Sequence, residues 1–99
     1  MRAQKVYIAG KITGDENYKQ KFADAEEFLT KGGYIVLNPS FLPEGLSYEE
    51  YMRICMAMID VSDVVFFLID WRESKGARLE RHYCDAVGKQ IISVETKRW

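Results

Sequence analysis

Three short stretches hold side chains that could do chemistry together. Ser74-Lys75-Gly76-Ala77 opens a helical pattern with a hydroxyl and backbone N–H groups at its positive end, which suits a phosphate, and Gly76 would let a ligand approach the main chain closely. On spacing alone, an ordinary serine N-cap followed by small packing residues fits equally well. Projected at about 100° per residue, the same helix places Ala77, Leu79, Tyr83, Cys84, Ala86 and Val87 on one side. Arg78, Arg81, His82, Asp85 and Lys89 lie opposite, and Glu80 falls inside the apolar arc. A carboxylate aimed at an apolar interior is costly when ionised and unpaired, so it has either a specific partner or a chemical task. The structural alternative is a carboxylate that caps or pairs near the helix start and is partly solvated.

Asp70-Trp71-Arg72-Glu73 supplies two carboxylates able to deliver a proton or simply to face solvent, and an indole able to stack on a flat ring or to cover a sheet edge. Gly10-Lys11-Ile12-Thr13-Gly14 lacks the upstream glycine and the Lys-Ser/Thr pair of a phosphate-binding P-loop, and no G-x-G-x-x-G is present. Neither ATPase nor dinucleotide chemistry is supported. A single histidine, His82, and two separated cysteines, Cys55 and Cys84, cannot assemble a metal site, so no metal and no organic cofactor is expected. The cysteines read as reduced core residues.

These residues must be positioned by alternating strands and helices. Lys5–Ala9 is a short strand and a helix follows from about Asn17 to Lys31, with Tyr18, Phe22, Ala25 and Leu29 on one face and Gly32-Gly33 as its stop. Tyr34–Leu37 reads as a buried strand broken by Asn38-Pro39. Ser47-Tyr48-Glu49-Glu50 is a capping box that starts a second helix, which runs to about Asp60. Val64–Ile69 reads as a strand buried on both faces. Ser74 caps a third helix reaching about Gly88, and Gln90–Val94 is the last strand. The pattern predicts a small doubly wound α/β domain, Rossmann-like or flavodoxin-like, with four parallel strands in the order 2-1-3-4 and three helices. In such a sheet the ligand crevice lies above the carboxyl ends of the first and third strands, which points to Gly10–Gly14 and Asp70–Gly76.

With 99 residues, the chain fits one domain, residues 1–99. Its 14 basic and 15 acidic side chains leave a net charge of −1, which gives no global attraction to a nucleic-acid polymer or an anionic membrane. No apolar run spans a bilayer and no signal peptide is legible, so a cytoplasmic location is expected. In the second helix, Arg53 alone interrupts the apolar run Tyr51 to Ile59, more than one sheet contact can bury, so a homo-oligomer is expected.

The stretches Tyr7-Ile8-Ala9-Gly10-Lys11-Ile12-Thr13-Gly14, Asn38-Pro39, Ser62-Asp63-Val64-Val65 and Asp70 through Glu80 resemble the nucleoside 2-deoxyribosyltransferase-like superfamily, and within it the small DUF4406-type domains. The resemblance implies an enzyme that cleaves an N-glycosidic bond through a covalent glycosyl-Glu intermediate, as an N-glycosidase or a deoxyribosyltransferase acting on a small nucleotide or nucleoside. It implies Glu80 as nucleophile and Tyr7 as the phenol that orients it. Gly10, Lys11, Ile12, Asp70, Trp71, Ser74, Gly76 and Ala77 are the substrate-binding candidates. Serine at position 74 resembles the deoxynucleoside 5′-monophosphate N-glycosidases, which bind a phosphate there, whereas the transferases usually carry aspartate. The aspartate those enzymes place in the second helix is missing near Cys55. The alternative is therefore a nucleotide-binding or sensor module of the same fold without turnover. Asp63, at the far end of its strand, reads as structural.

Overall fold

A computed structural model describes residues 2–94. The strands are β1 (Lys5–Ala9), β2 (Ile35–Leu37), β3 (Val64–Phe67) and β4 (Gln90–Ser93), and the helices are α1 (Tyr18–Lys31), α2 (Tyr48–Val61) and α3 (Lys75–Val87). Short 3-10 turns sit at Pro39–Phe41 and Trp71–Glu73. All strand pairs are parallel and the order is β2-β1-β3-β4, as the alternating pattern predicts.

Strand alternation sorts the core into two layers. Val6, Ile8, Val64, Phe66 and Leu68 face α1, meeting Phe22, Ala25 and Leu29. Tyr7, Ala9, Val65 and Phe67 face the other way, onto Cys55 and Ile59 of α2 and Cys84 of α3. The period of two in β1 thus sends Tyr7 toward α2 and α3, the second of which carries Glu80. Both cysteines are buried as free thiols.

The helix ends follow local chemistry. Ser47 and Glu50 form both bonds of the capping box at α2, and the Ser74 hydroxyl accepts from the Ala77 N–H at the start of α3. Gly88 closes α3 with φ +74°, a left-handed conformation that glycine adopts without strain. Asp63 accepts a hydrogen bond from the Lys5 N–H at the amino ends of β1 and β3, the structural place expected for it.

Three expectations need correction. The segment Tyr34–Leu37 shortens to Ile35–Leu37 and is not fully buried: it is an edge strand, with Ile35 exposed and Val36 and Leu37 half-buried. The third strand ends at Phe67, before Leu68 and Ile69. On α3 the buried face is narrower than the helical projection implies, consisting of Ala77, Glu80 and Cys84. Leu79 and Val87 are exposed, and Ala86 is too. Arg81 turns inward instead, with its guanidinium over Phe67 and Trp71. Among the described residues no helix is long and apolar enough to cross a membrane.

Candidate active site

Two elements deliver the central pair. The third residue of β1, Tyr7, comes from the sheet and the sixth of α3, Glu80, from the helix packed on it, and the Tyr7 hydroxyl donates to Glu80 Oε2 at 2.6 Å. Glu80 is only 4% exposed, which removes the solvated-cap alternative. Burial pushes its carboxyl up to about 7, against opposing hydrogen bonds from Tyr7 and Cys55. The same burial, with the negative charge of Glu80 beside it, holds the Tyr7 phenol well above its ordinary range. Burial also pushes the Cys55 thiol up to about 12, so this thiol stays protonated near neutral pH. A carboxylate poised near neutrality, fixed by a neutral phenol, is equipped to act as a nucleophile or a base.

Glu80 forms the floor of a narrow cleft of about 400 Å³, counting the space open to solvent. Tyr7, Gly10, Ile12, Ser74, Gly76 and Ala77 line it, which places these sequence candidates around one space. It opens into a wider cleft of about 1210 Å³ between the loop after β1 and the segment from Leu42 to Leu46. Ile12, Thr13, Tyr48 and Tyr51 line both. Gly10 is required by packing: a Cβ there would stand 2.8 Å from a methyl of Leu68. At Gly76 a Cβ would meet the Met52 sulfur at 3.2 Å, so this glycine lets α3 pack against α2 beside the cleft.

The structure places three further candidates elsewhere. Asp70 does not line the cleft: its carboxylate accepts from the Lys11 N–H at 3.0 Å and pairs with the Lys21 ammonium. Lys21 also pairs with Asp15 and donates to the Lys11 carbonyl at 2.9 Å, so the aspartate is a strut for the loop after β1. Lys11 turns its side chain to Glu73, 3.6 Å away. Trp71 has Arg72 at 4.6 Å and Arg81 at 4.7 Å from its ring centre and Phe67 edge-on, so it covers the sheet edge instead of offering a free stacking face.

Thr13, in the loop Gly10–Gly14 to which the topology pointed, also lines the cleft, whereas sequence reasoning missed Tyr48, Tyr51 and Met52 as cleft residues and Pro39 as a wall. Pro39 is set by Asn38, whose side chain accepts from the Ser40 N–H and donates to Glu26, tying the turn to α1. Among the described residues no three His, Cys, Asp or Glu side chains converge as metal ligands do.

Residues 4–93 match the family model described as a domain of unknown function, DUF4406. No curated protein matches the chain significantly. Among solved structures, a 2-deoxyribosyltransferase from Bacillus psychrosaccharolyticus superposes with a TM-score of 0.71 at 24% identity, over 90% of this chain and 70% of that one. The 2-desoxiribosyltransferase from Leishmania mexicana gives 0.71 at 19% identity, over 91% of this chain and 63% of the other. A conserved protein from Enterococcus faecalis V583 gives 0.68 at 17% identity, over 98% and 66%. The chain thus has the fold of these proteins and spans about two thirds of their length.

Proposed function

The chain belongs to the DUF4406 family, and from the buried Tyr7–Glu80 pair at the floor of its cleft we propose that it cleaves the N-glycosidic bond of a small nucleotide or nucleoside. Ionised Glu80 attacks C1′ through an oxocarbenium-like transition state. The C1′–N bond breaks, its electron pair leaves with the base, and the base takes a proton from solvent in the open cleft. A glycosyl ester on Glu80 remains. Water, or the nitrogen of a second base, then displaces the carboxylate and retains the anomeric configuration. The fold shared with two 2-deoxyribosyltransferases supports this reading.

The rest of the cleft fits the same substrate class. Sugar and phosphate suit the narrow part, where the start of α3 presents Ser74 and Gly76, and a flat base suits the wider part between Tyr18, Tyr48 and Pro43. The Ser74 hydroxyl already accepts from the Ala77 N–H, so it meets a phosphate as a donor. The free thiols support a reducing, cytoplasmic compartment. An exposed apolar stripe on α2 supports assembly with a second copy.

One observation favours a binding module without turnover. Asp70 is held by Lys21 and the Lys11 N–H, and the cleft-lining residues of α2 are Tyr48, Tyr51 and Met52, none of them a carboxylate. Incubation with a panel of deoxynucleosides and their 5′-monophosphates, with free base separated by chromatography, decides between the two. Release by the parent protein and none by Glu80→Ala supports the enzyme. Calorimetric binding with no release from any member of the panel supports the module, and neither binding nor release overturns both.

A further inference from the structure

Among the described residues, the Tyr51 hydroxyl is a buried side-chain polar group with no hydrogen-bond partner. An unmet buried donor disfavours the empty fold, and a ligand that brings an acceptor recovers the loss. Tyr51 stands one turn before Cys55 on α2, and the nearby thiol makes no hydrogen bond with it. Burial, the largest effect, and the charge of Glu80 both raise its phenol above the ordinary range, so it remains a neutral donor.

Its place in the clefts says which acceptor it meets. Glu80 lines the narrow cleft and not the wide one, and a nucleoside with its sugar against Glu80 and its base in the wide cleft would run its C1′–N bond past the residues common to both. Ile12, Thr13, Tyr48 and Tyr51 line both spaces, and of these Tyr51 has the buried, unmet hydroxyl and feels the charge of Glu80. We propose that Tyr51 is a base-binding residue that donates a hydrogen bond to the base acceptor flanking the glycosidic nitrogen, O2 of a pyrimidine or N3 of a purine. This rests on the nucleoside-directed reading above. As the C1′–N bond breaks, its electron pair moves onto the base and charge builds at that acceptor, so the bond strengthens in the transition state. The phenol keeps its proton throughout.

Tyr51→Phe removes the oxygen and keeps the ring. Thermal denaturation without ligand is expected to give a midpoint equal to or above that of the parent, because an unmet group is lost. A fall of several degrees would show that the hydroxyl is paired in the free protein and would overturn the proposal. Calorimetry then compares a purine deoxynucleoside 5′-monophosphate with its 3-deaza analogue, in which a carbon replaces N3. The parent is expected to prefer the first by about ten-fold, and the variant to bind both alike. Equal binding of the two by the parent overturns the role of Tyr51 and leaves the proposed function standing. Binding of neither ligand by the parent overturns the nucleoside-directed reading and this inference with it.

Discussion

Glu80 is the residue on which the chemistry turns, and its burial has consequences in two measurements. A nucleophile must be ionised, so base release is expected to rise with pH along a limb centred near 7, where the buried carboxyl titrates. Glu80→Ala is expected to reduce release at least about 10³-fold while leaving the far-ultraviolet spectrum unchanged. The Tyr7 hydrogen bond lowers the Glu80 pKa, so Tyr7→Phe should move the limb to higher pH and cut kcat about ten-fold. A limb that stays in place would remove Tyr7 from the mechanism. Stability carries the opposite sign. With its carboxyl raised from 4.5 to about 7, the protonated group favours the fold below 4.5, and that contribution is lost as pH rises through about 7. Glu80→Gln escapes the loss and should be more stable than the parent by about 3 kcal/mol at pH 9, with the gap closing toward pH 4 in urea titrations. Glu80 was legible because a lone carboxylate interrupts an apolar helical arc. Tyr51 and Met52 were not, because α2 is apolar on nearly every side and its periodicity does not say which residues turn toward a cleft.

At the level of elements, the order and parallel pairing of the strands follow from alternation of period two and period 3.6, and the helix starts follow from Ser47 and Ser74. What local pattern does not reveal is coupling across the fold. Asp70 looked available as an acid because its partner Lys21 lies 49 residues away, on a helix whose face toward the loop after β1 has no sequence signature. That lysine, 11% exposed, holds Asp15, Asp70 and the Lys11 carbonyl and so fixes the loop lining both clefts. Lys21→Met leaves two partly buried carboxylates facing each other's field and is expected to cost about 1–3 kcal/mol at pH 7. The hydrogen bond from Lys21 holds the Asp15 carboxyl below its ordinary value, so the stabilisation is present above that value and is lost as pH falls through the lowered one. The gap between variant and parent in chemical denaturation should therefore narrow toward pH 2. A gap independent of pH would show that Lys21 acts by packing alone.

Among the exposed apolar side chains of the described residues, those on α2 form a stripe whose position decides between two accounts of that helix. Met52, Cys55 and Ile59 pack inward, whereas Ile54 and Val61 are 38% and 55% exposed and Ala57 between them is exposed too. These three recur at spacings of three and four, which makes one stripe along the helix. Had the segment from Asn38 to Ser47 folded over α2, the stripe would be covered. Instead Leu42 to Leu46 line the wide cleft with Tyr48 and Tyr51, at the opposite end of the helix. A two-fold partner that lays the same stripe against its own copy covers it with no new sequence, and a net charge of −1 opposes that approach only weakly. Light scattering at micromolar concentration is expected to return twice 11.5 kDa. Ile54→Glu places a charge within the stripe and should return the single-chain mass with the thermal midpoint of the isolated fold retained. A mass of 11.5 kDa for the parent, with and without a nucleotide, would show that the stripe tolerates water and that each cleft is built from one chain alone.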